Sequence, residues 1–112
     1  MDSEAKAGAI RDTNRRQFNR KKFLGKLEIE WGSAVLNGTV QDVGPQGLFV
    51  ELIPPLWMGA TFRARLILNP VLHLVCTVRR IEPGRGIGVT FDLPEESGKT
   101  QLEALLATLP QV

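Results

Sequence analysis

Cysteine and histidine are almost absent from this chain of 112 residues, which contains one of each, Cys76 and His73. A single cysteine cannot form an internal disulfide, which favours a reducing compartment, and we expect a cytoplasmic protein. The usual zinc clusters need several Cys or His ligands and are therefore excluded. Residues three apart on a strand face opposite sides, so we interpret His73 and Cys76 as structural residues and not as a metal-binding or nucleophilic pair.

Long hydrophobic runs are also absent. No apolar stretch approaches the roughly 20 residues that a membrane-spanning helix needs. The first residues, from Met1 to Lys6, lack the apolar core of a signal peptide. The chain is 43% hydrophobic and 23% charged, which is ordinary for a soluble globular protein. We therefore expect one soluble domain with its own core and no membrane span.

Positive charge is concentrated near the N-terminus. The formal net charge of the chain is +2. Residues 11–26 carry seven basic side chains and one acidic side chain, a net +6, which leaves −4 for the remainder. A basic arm on a mildly acidic body can steer an anionic partner toward that body. General nucleic-acid binding is not expected, since such proteins more often spread positive charge over a folded face.

Alternation of polar and apolar residues predicts six strands. They are separated by turn residues and cover residues 26–31, 34–43, 48–52, 61–68, 72–81 and 87–91. Asn37-Gly38 interrupts the second strand and predicts a bulge or a tight turn. Short strands at roughly 10-residue spacing, with no helix between them, predict a small antiparallel barrel. Trp31 and Trp57 are expected in its core or at its rim, with an exposed partner contact as the alternative for Trp57.

The C-terminal region changes period and predicts a helix over about 97–109. Four leucines follow the spacing i, i+3, i+4, i+7: Leu102, Leu105, Leu106 and Leu109. Ser97 is the predicted N-cap and Pro110 the stop, and the helix should cover an open end or edge of the barrel. Residues 1–14 show no period and are expected to be disordered. The single domain then spans 15–112, with an arginine segment at 15–22 and the barrel at 23–92.

Two arginines four residues apart, Arg16 and Arg20, stand just before the first predicted strand, and Arg15 precedes them. A planar guanidinium binds phosphate through two parallel hydrogen bonds and also stacks on aromatic bases. If the segment curls into a turn, Arg16 and Arg20 can close on one anion. The alternative is a solvated basic linker, since basic runs usually face water.

A second motif, Asp42-x-Gly44-x-x-Gly47, lies in a sharp loop between the second and third predicted strands. The carboxylate of Asp42 is complementary to the neighbouring N–H donors on the Watson–Crick edge of guanine. An Asx turn that only holds the loop is the alternative for Asp42. Gly47 lets the backbone approach a ligand closely, although the sharp turn alone also explains a glycine there.

Together these motifs resemble those of the PilZ domain family. The family pattern is Arg-x-x-x-Arg, followed by Asp or Asn, x, Ser, x, x, Gly. The stretch Val78-Arg79-Arg80-Ile81, a turn, and then residues 86–91 also resembles the last two strands of the family. The resemblance covers about residues 11–109. It implies a six-stranded barrel with a C-terminal helix, which acts as a non-catalytic receptor or adaptor for the bacterial second messenger cyclic di-GMP.

The resemblance also implies roles for individual residues. Arg16 and Arg20 would grip the phosphates or stack on guanine, and Asp42 would meet a guanine. Arg15 occupies a position that the family associates with binding one ligand or an intercalated pair, and an arginine there favours a pair. Independently of the resemblance, Arg79 and Arg80 are strand neighbours and are expected on opposite faces. Arg80 is the one assigned to the ligand surface, and solvated strand charge is the alternative. The arginine segment would clamp onto the barrel when the ligand binds and alter binding to an unidentified protein partner.

One position departs from the family pattern, because Gly44 stands where the family has serine. The missing hydroxyl predicts a loss of about 1 kcal/mol, or fivefold in affinity, while the Gly44 backbone N–H would remain for the ligand. An adaptor that binds nucleotide weakly or not at all, and acts through protein contacts, is therefore the alternative function. We expect neither a cofactor nor enzymatic activity, since paired carboxylates, an activated nucleophile and a Walker-type phosphate loop are all missing.

Overall fold

The computed structural model of the protein describes residues 20–52 and 56–110. Six strands and one helix account for most of them. They are β1 (Lys21–Trp31), β2 (Ala34–Val43), β3 (Gly47–Glu51), β4 (Thr61–Leu66), β5 (Leu72–Glu82), β6 (Gly86–Asp92) and α1 (Glu96–Thr108). The predicted disordered tail, residues 1–14, and residues 15–19 of the predicted arginine segment lie outside the described residues.

The six strands form a closed antiparallel barrel, which confirms the predicted fold. Their order around the barrel is β1-β2-β3-β6-β5-β4, and β4 pairs with β1 to close it. Closure pairs the outer strands with one another, so the sheet presents no open edge. The inner faces supply the core, in which Leu27, Ile29 and Leu66 are completely buried. This is the alternation that the sequence predicts.

The first strand begins five residues before the predicted start. Burial alternates along the whole of β1, but the residue types do not follow it before Lys26. Leu24 is 73% exposed, whereas Lys21 and Gly25 occupy half-buried positions, so polar and apolar residues alternate in the sequence only from Lys26 onward.

The predicted bulge or turn at Asn37-Gly38 is wrong. Both residues pair in regular register with β1, Asn37 with Glu28 and Gly38 with Leu27. Gly38 is needed for a different reason. A Cβ at that position would lie 2.5 Å from a side-chain methyl of Val50 on β3, so the glycine leaves room for the buried Val50 side chain inside the barrel.

The C-terminal helix packs onto the core through three of the four leucines of its predicted face. Leu102 is buried in the core, and Leu106 and Leu109 pack against it from partly exposed positions. The predicted N-cap is wrong, because Glu95 occupies the cap position and makes no side-chain cap hydrogen bond. Beyond the helix, the carbonyl of Pro110 accepts a hydrogen bond from the Lys22 N–H (2.9 Å). This bond links the residue beyond the helix to the start of β1.

Candidate ligand-binding site

Four residues form a continuous row across the outer surface of four neighbouring strands. Asp42 on β2 pairs with Phe49 on β3, Phe49 pairs with Gly88 on β6, and Gly88 pairs with Arg80 on β5. Directly paired residues on neighbouring strands share a face of the sheet. We call Asp42, Phe49, Gly88 and Arg80 the outer-face row. Three strand spacings separate its ends, a distance of roughly 14 Å, which is room for more than one nucleotide base.

Two β-bulges turn the charged ends of this row outward. The pairing register shifts between Val40 and Asp42 and again between Val78 and Arg80. Val40 and Val78 are buried in the core. Strict alternation would therefore point Asp42 and Arg80 inward as well, and one extra residue in each strand reverses this.

The predicted opposition of Arg79 and Arg80 is wrong for the same reason. Both residues are exposed, because the bulge places two consecutive side chains on the outside of the barrel. Arg79 donates a hydrogen bond to the Thr90 hydroxyl (3.1 Å). Arg80 instead lies across Gly88, where a Cβ would be 3.5 Å from the guanidinium carbon.

Arg20 and Asp42, which belong to the two separate sequence motifs, form an ion pair. Arg20 Nε donates to Asp42 Oδ1 at 2.7 Å, and Nη2 lies 2.5 Å from the same oxygen. The two side chains are 24% and 23% exposed, so water screens the pair less than it screens a surface ion pair. The fold therefore brings together residues 22 positions apart, at one end of the outer-face row. Arg15 and Arg16, also predicted to bind the ligand, lie outside the described residues.

The loop of the second motif is held by its own backbone. The Gly44 N–H donates to the Gly47 carbonyl at 2.8 Å, so this N–H is already engaged within the loop, and its role toward a ligand stays a prediction. Gly47 is required by the fold, since a Cβ there would lie 2.6 Å from the carbonyl oxygen of Val89 on β6. These two glycines shape the loop that presents Asp42.

An arginine cluster covers the other end of the row. Phe49 is only 4% exposed although it lies outside the core. The guanidinium carbons of Arg80 and Arg85 lie 5.7 Å and 5.5 Å from the centre of its ring. Both arginines also pair with the Glu82 carboxylate. Sequence reasoning identified neither Phe49 nor Arg85 as a residue of the site.

His73 and Cys76 lie on opposite faces of β5, as predicted. His73 is exposed, while Cys76 is fully buried in the core. Burial raises the pKa of the Cys76 thiol to about 12, and a neutral buried thiol is a poor nucleophile. No group of three potential metal-ligating side chains occurs in the part of the chain that the structure covers.

The two tryptophans meet at the barrel rim, as an edge-to-face pair with ring centres 5.0 Å apart. Trp31 packs against the core, whereas Trp57 is 60% exposed. Neighbouring Met58 is also exposed. The expectation of packing against the barrel is therefore confirmed for Trp31, whereas Trp57 presents a hydrophobic surface to solvent.

The outer-face row and the neighbouring Arg20 together combine two guanidinium groups, a carboxylate and an aromatic ring. Arginine suits phosphate, and a carboxylate suits paired N–H donors such as those of guanine. Residues 20–52 and 56–110 contain no helix with the length and hydrophobicity that crossing a bilayer requires. The fold and the site together define a small closed antiparallel barrel that carries charged side chains and an aromatic ring on its outer face.

Comparison with known proteins identifies the family. The model of the PilZ domain matches residues 14–108, and the chain therefore belongs to the PilZ domain family. PilZ domains are non-catalytic receptors for cyclic di-GMP. The comparison with curated proteins gave no match.

Proposed function

We propose that this domain is a cyclic di-GMP receptor, and that the ligand binds along the outer-face row. The observation that carries the proposal is the contact between Arg20 and Asp42, one residue from each motif, on a surface that also holds Arg80. Arg20 would bind phosphate and Asp42 would accept hydrogen bonds from guanine. Arg15 and Arg16 would add further cations from the segment before Arg20.

Ligand binding would replace the Arg20–Asp42 ion pair with ligand contacts. In the structure each of these residues neutralises the other. A ligand carrying both an anionic phosphate and a guanine edge satisfies both residues separately, which a simple anion does not. This exchange favours a nucleotide over free phosphate, because removing Arg20 alone would leave a partly buried carboxylate unpaired.

The same exchange would connect the site to the C-terminal helix. Arg20 lies two residues before Lys22, and the Lys22 N–H is bonded to the Pro110 carbonyl beyond α1. Clamping the arginine segment onto the barrel would thus act on the segment that follows the helix. We propose that this alters the surface offered to a protein partner in the bacterial cytoplasm, by biasing a local two-state element.

Amide chemical-shift mapping tests the proposed site directly. Adding cyclic di-GMP to the ¹⁵N-labelled protein should shift the amides of Asp42, Phe49, Gly88 and Arg80, while those of Thr61 and Arg63 on β4 serve as an internal control. In Arg20→Glu, which reverses the charge beside Asp42, the ligand should cause no shifts. Wild-type affinity in Arg20→Glu, or shifts confined to β4, would contradict the proposed binding mode.

A protein-binding adaptor with little nucleotide affinity is the second candidate. Two observations favour it, the engaged Gly44 N–H and the exposed Trp57–Met58 surface. In that case cyclic di-GMP at high concentration should leave the amides of the outer-face row unmoved. Substitution of Trp57 would then weaken partner binding.

A further inference from the structure

The hairpin between β5 and β6 carries a cluster that neither sequence motif includes. The two carboxylate oxygens of Glu82 are divided between two arginines. Oε2 lies 2.8 Å from Arg80 Nε, and Oε1 accepts a hydrogen bond from Arg85 Nη1 at 2.6 Å. Both guanidinium groups also lie near the ring of Phe49. One carboxylate and one aromatic ring therefore fix two cations side by side.

Local sequence builds the turn that places Arg85. Pro83 and Gly84 occupy its centre, Gly84 has φ of +77°, and the Arg85 N–H donates to the Glu82 carbonyl at 2.9 Å. Proline followed by a glycine with positive φ is the type II pattern. Gly86 then passes so close to β3 that a Cβ would lie 2.2 Å from the Val50 carbonyl oxygen. The hairpin is thus held against the strand that carries Phe49.

Donor groups of both arginines remain available to a ligand. Glu82 engages one nitrogen of each guanidinium, and each guanidinium has five N–H donors in all. Arg80 and Arg85 are 56% and 71% exposed, whereas Glu82 is 28% exposed. Two cations share one anion here, so the cluster has a net charge of +1 on the outer surface.

The cluster is continuous with the proposed ligand site. Phe49 lies between Asp42 and Gly88 in the outer-face row, and the guanidinium groups of Arg80 and Arg85 lie over its ring. The row therefore has cations at both ends, with Arg20 at Asp42 and the arginine pair beyond Phe49. A ligand with phosphates at separate positions matches this distribution better than a ligand with one.

We propose that Arg85 is a further ligand-binding residue, which acts with Arg80 as a second phosphate-binding subsite. Glu82 is its positioning residue and holds both guanidinium groups over Phe49. This inference rests on the proposed function, because it assigns a second contact to the same ligand. The proposed subsite differs from the contacts assigned above because its residues lie in the β5–β6 hairpin and not in the two sequence motifs.

Calorimetric titration of cyclic di-GMP into single variants tests the assignment. Arg85→Gln should weaken binding by about tenfold, as expected for lost hydrogen bonds to a charged group. Arg85→Lys keeps the charge without the planar fork and should give an intermediate value. Arg63→Gln, which removes the same charge from β4, is the matched control and should stay within about twofold of the wild type.

Glu82→Ala separates positioning from simple attraction. Removing this carboxylate makes the surface more positive, which alone would tighten the binding of an anion. If Glu82 positions the arginines, its loss should weaken binding by about threefold or more. Binding that is unchanged or tighter in Glu82→Ala would overturn the positioning role.

Salt dependence distinguishes a ligand contact from a purely structural one. The affinity of Arg85→Gln should fall less steeply with added salt than the affinity of the wild type, because one charge contact is missing. If Arg85 only shields Phe49, Arg85→Gln and the wild type will show the same salt dependence, and Arg85→Gln will bind as tightly as Arg63→Gln. That result would overturn the proposed Arg85 subsite but not the proposed function. A wild-type protein that binds no cyclic di-GMP would overturn the proposed function and this subsite together.

Discussion

Replacing Asp42 by asparagine should destabilise both the free protein and the proposed complex, and the two losses should partly cancel in the binding affinity. In the free protein the Asp42 carboxylate accepts a hydrogen bond from Arg20 Nε and forms an ion pair with the same guanidinium, with about a quarter of each side chain exposed. A partly buried charged pair of this kind contributes about 1 kcal/mol to stability. Asp42→Asn should therefore lower the free energy of unfolding by about that amount, which is about 5 °C in melting temperature for a domain of this size.

For binding, the neutral amide would lose about 2–3 kcal/mol of charged contact with guanine. Some of this loss is offset, because the ligand no longer has to displace Arg20 from a carboxylate. Subtracting the contribution of the Arg20–Asp42 ion pair from the lost guanine contact leaves a net loss of about 1–2 kcal/mol in binding free energy, or roughly tenfold weaker binding. Calorimetry measures the affinity and thermal denaturation measures the stability of the same preparation.

Asp92→Asn is the matched control for Asp42→Asn, since it makes the same charge change at an exposed position on β6. It should change neither affinity nor melting temperature appreciably. A destabilised Asp42→Asn that binds cyclic di-GMP within about twofold of the wild type would refute the guanine contact. Asp42 would then serve only to hold Arg20.

Three further substitutions probe single features of the structure. Gly44→Ser restores the family hydroxyl and should tighten cyclic di-GMP binding by about fivefold; unchanged affinity in the same titration would contradict this. Gly47→Ala places a Cβ 2.6 Å from the Val89 carbonyl oxygen. It should lower the free energy of unfolding, measured in urea, by about 1–3 kcal/mol. Wild-type stability would contradict this and would show that β6 can shift without cost to make room for the methyl group. Burial raises the pKa of Cys76 to about 12. Between pH values of about 9 and 12 the thiol therefore stays protonated in the folded state and loses its proton in the unfolded state. The free energy of unfolding should accordingly fall by up to about 1.4 kcal/mol per pH unit as pH rises from about 9 toward 12. Cys76→Val should lack this component of the slope, and equal slopes in both proteins would contradict it.

The barrel could be predicted from sequence because its strands follow local rules. Leu27 and Ile29 alternate with polar residues, and one face of the strand is buried as that alternation requires. The helix could also be predicted from sequence, since Leu102 and Leu106 share one helical face. Its cap was not, because Glu95 occupies the cap position without a side-chain hydrogen bond.

The site was only partly predictable because the local pattern of polar and apolar residues does not reveal bulges or contacts between strands. The motifs identified Arg20 and Asp42, but nothing local shows that they form an ion pair. The orientation of Arg80 depends on a register shift against β6, which depends on the partner strand as well as on β5. Phe49 and Arg85 meet only through tertiary pairing, so the cluster at Glu82 had no signal beyond the Pro83-Gly84 turn.

The most direct test of the central claim is a calorimetric titration of cyclic di-GMP into the wild-type protein, with GTP as the control ligand. We predict saturable binding with a micromolar or tighter dissociation constant and no heat with GTP. The stoichiometry would show whether each chain takes one ligand or an intercalated pair. An absence of heat at high concentrations of cyclic di-GMP, from protein that melts cooperatively, would contradict the receptor function and leave the protein-binding adaptor in its place.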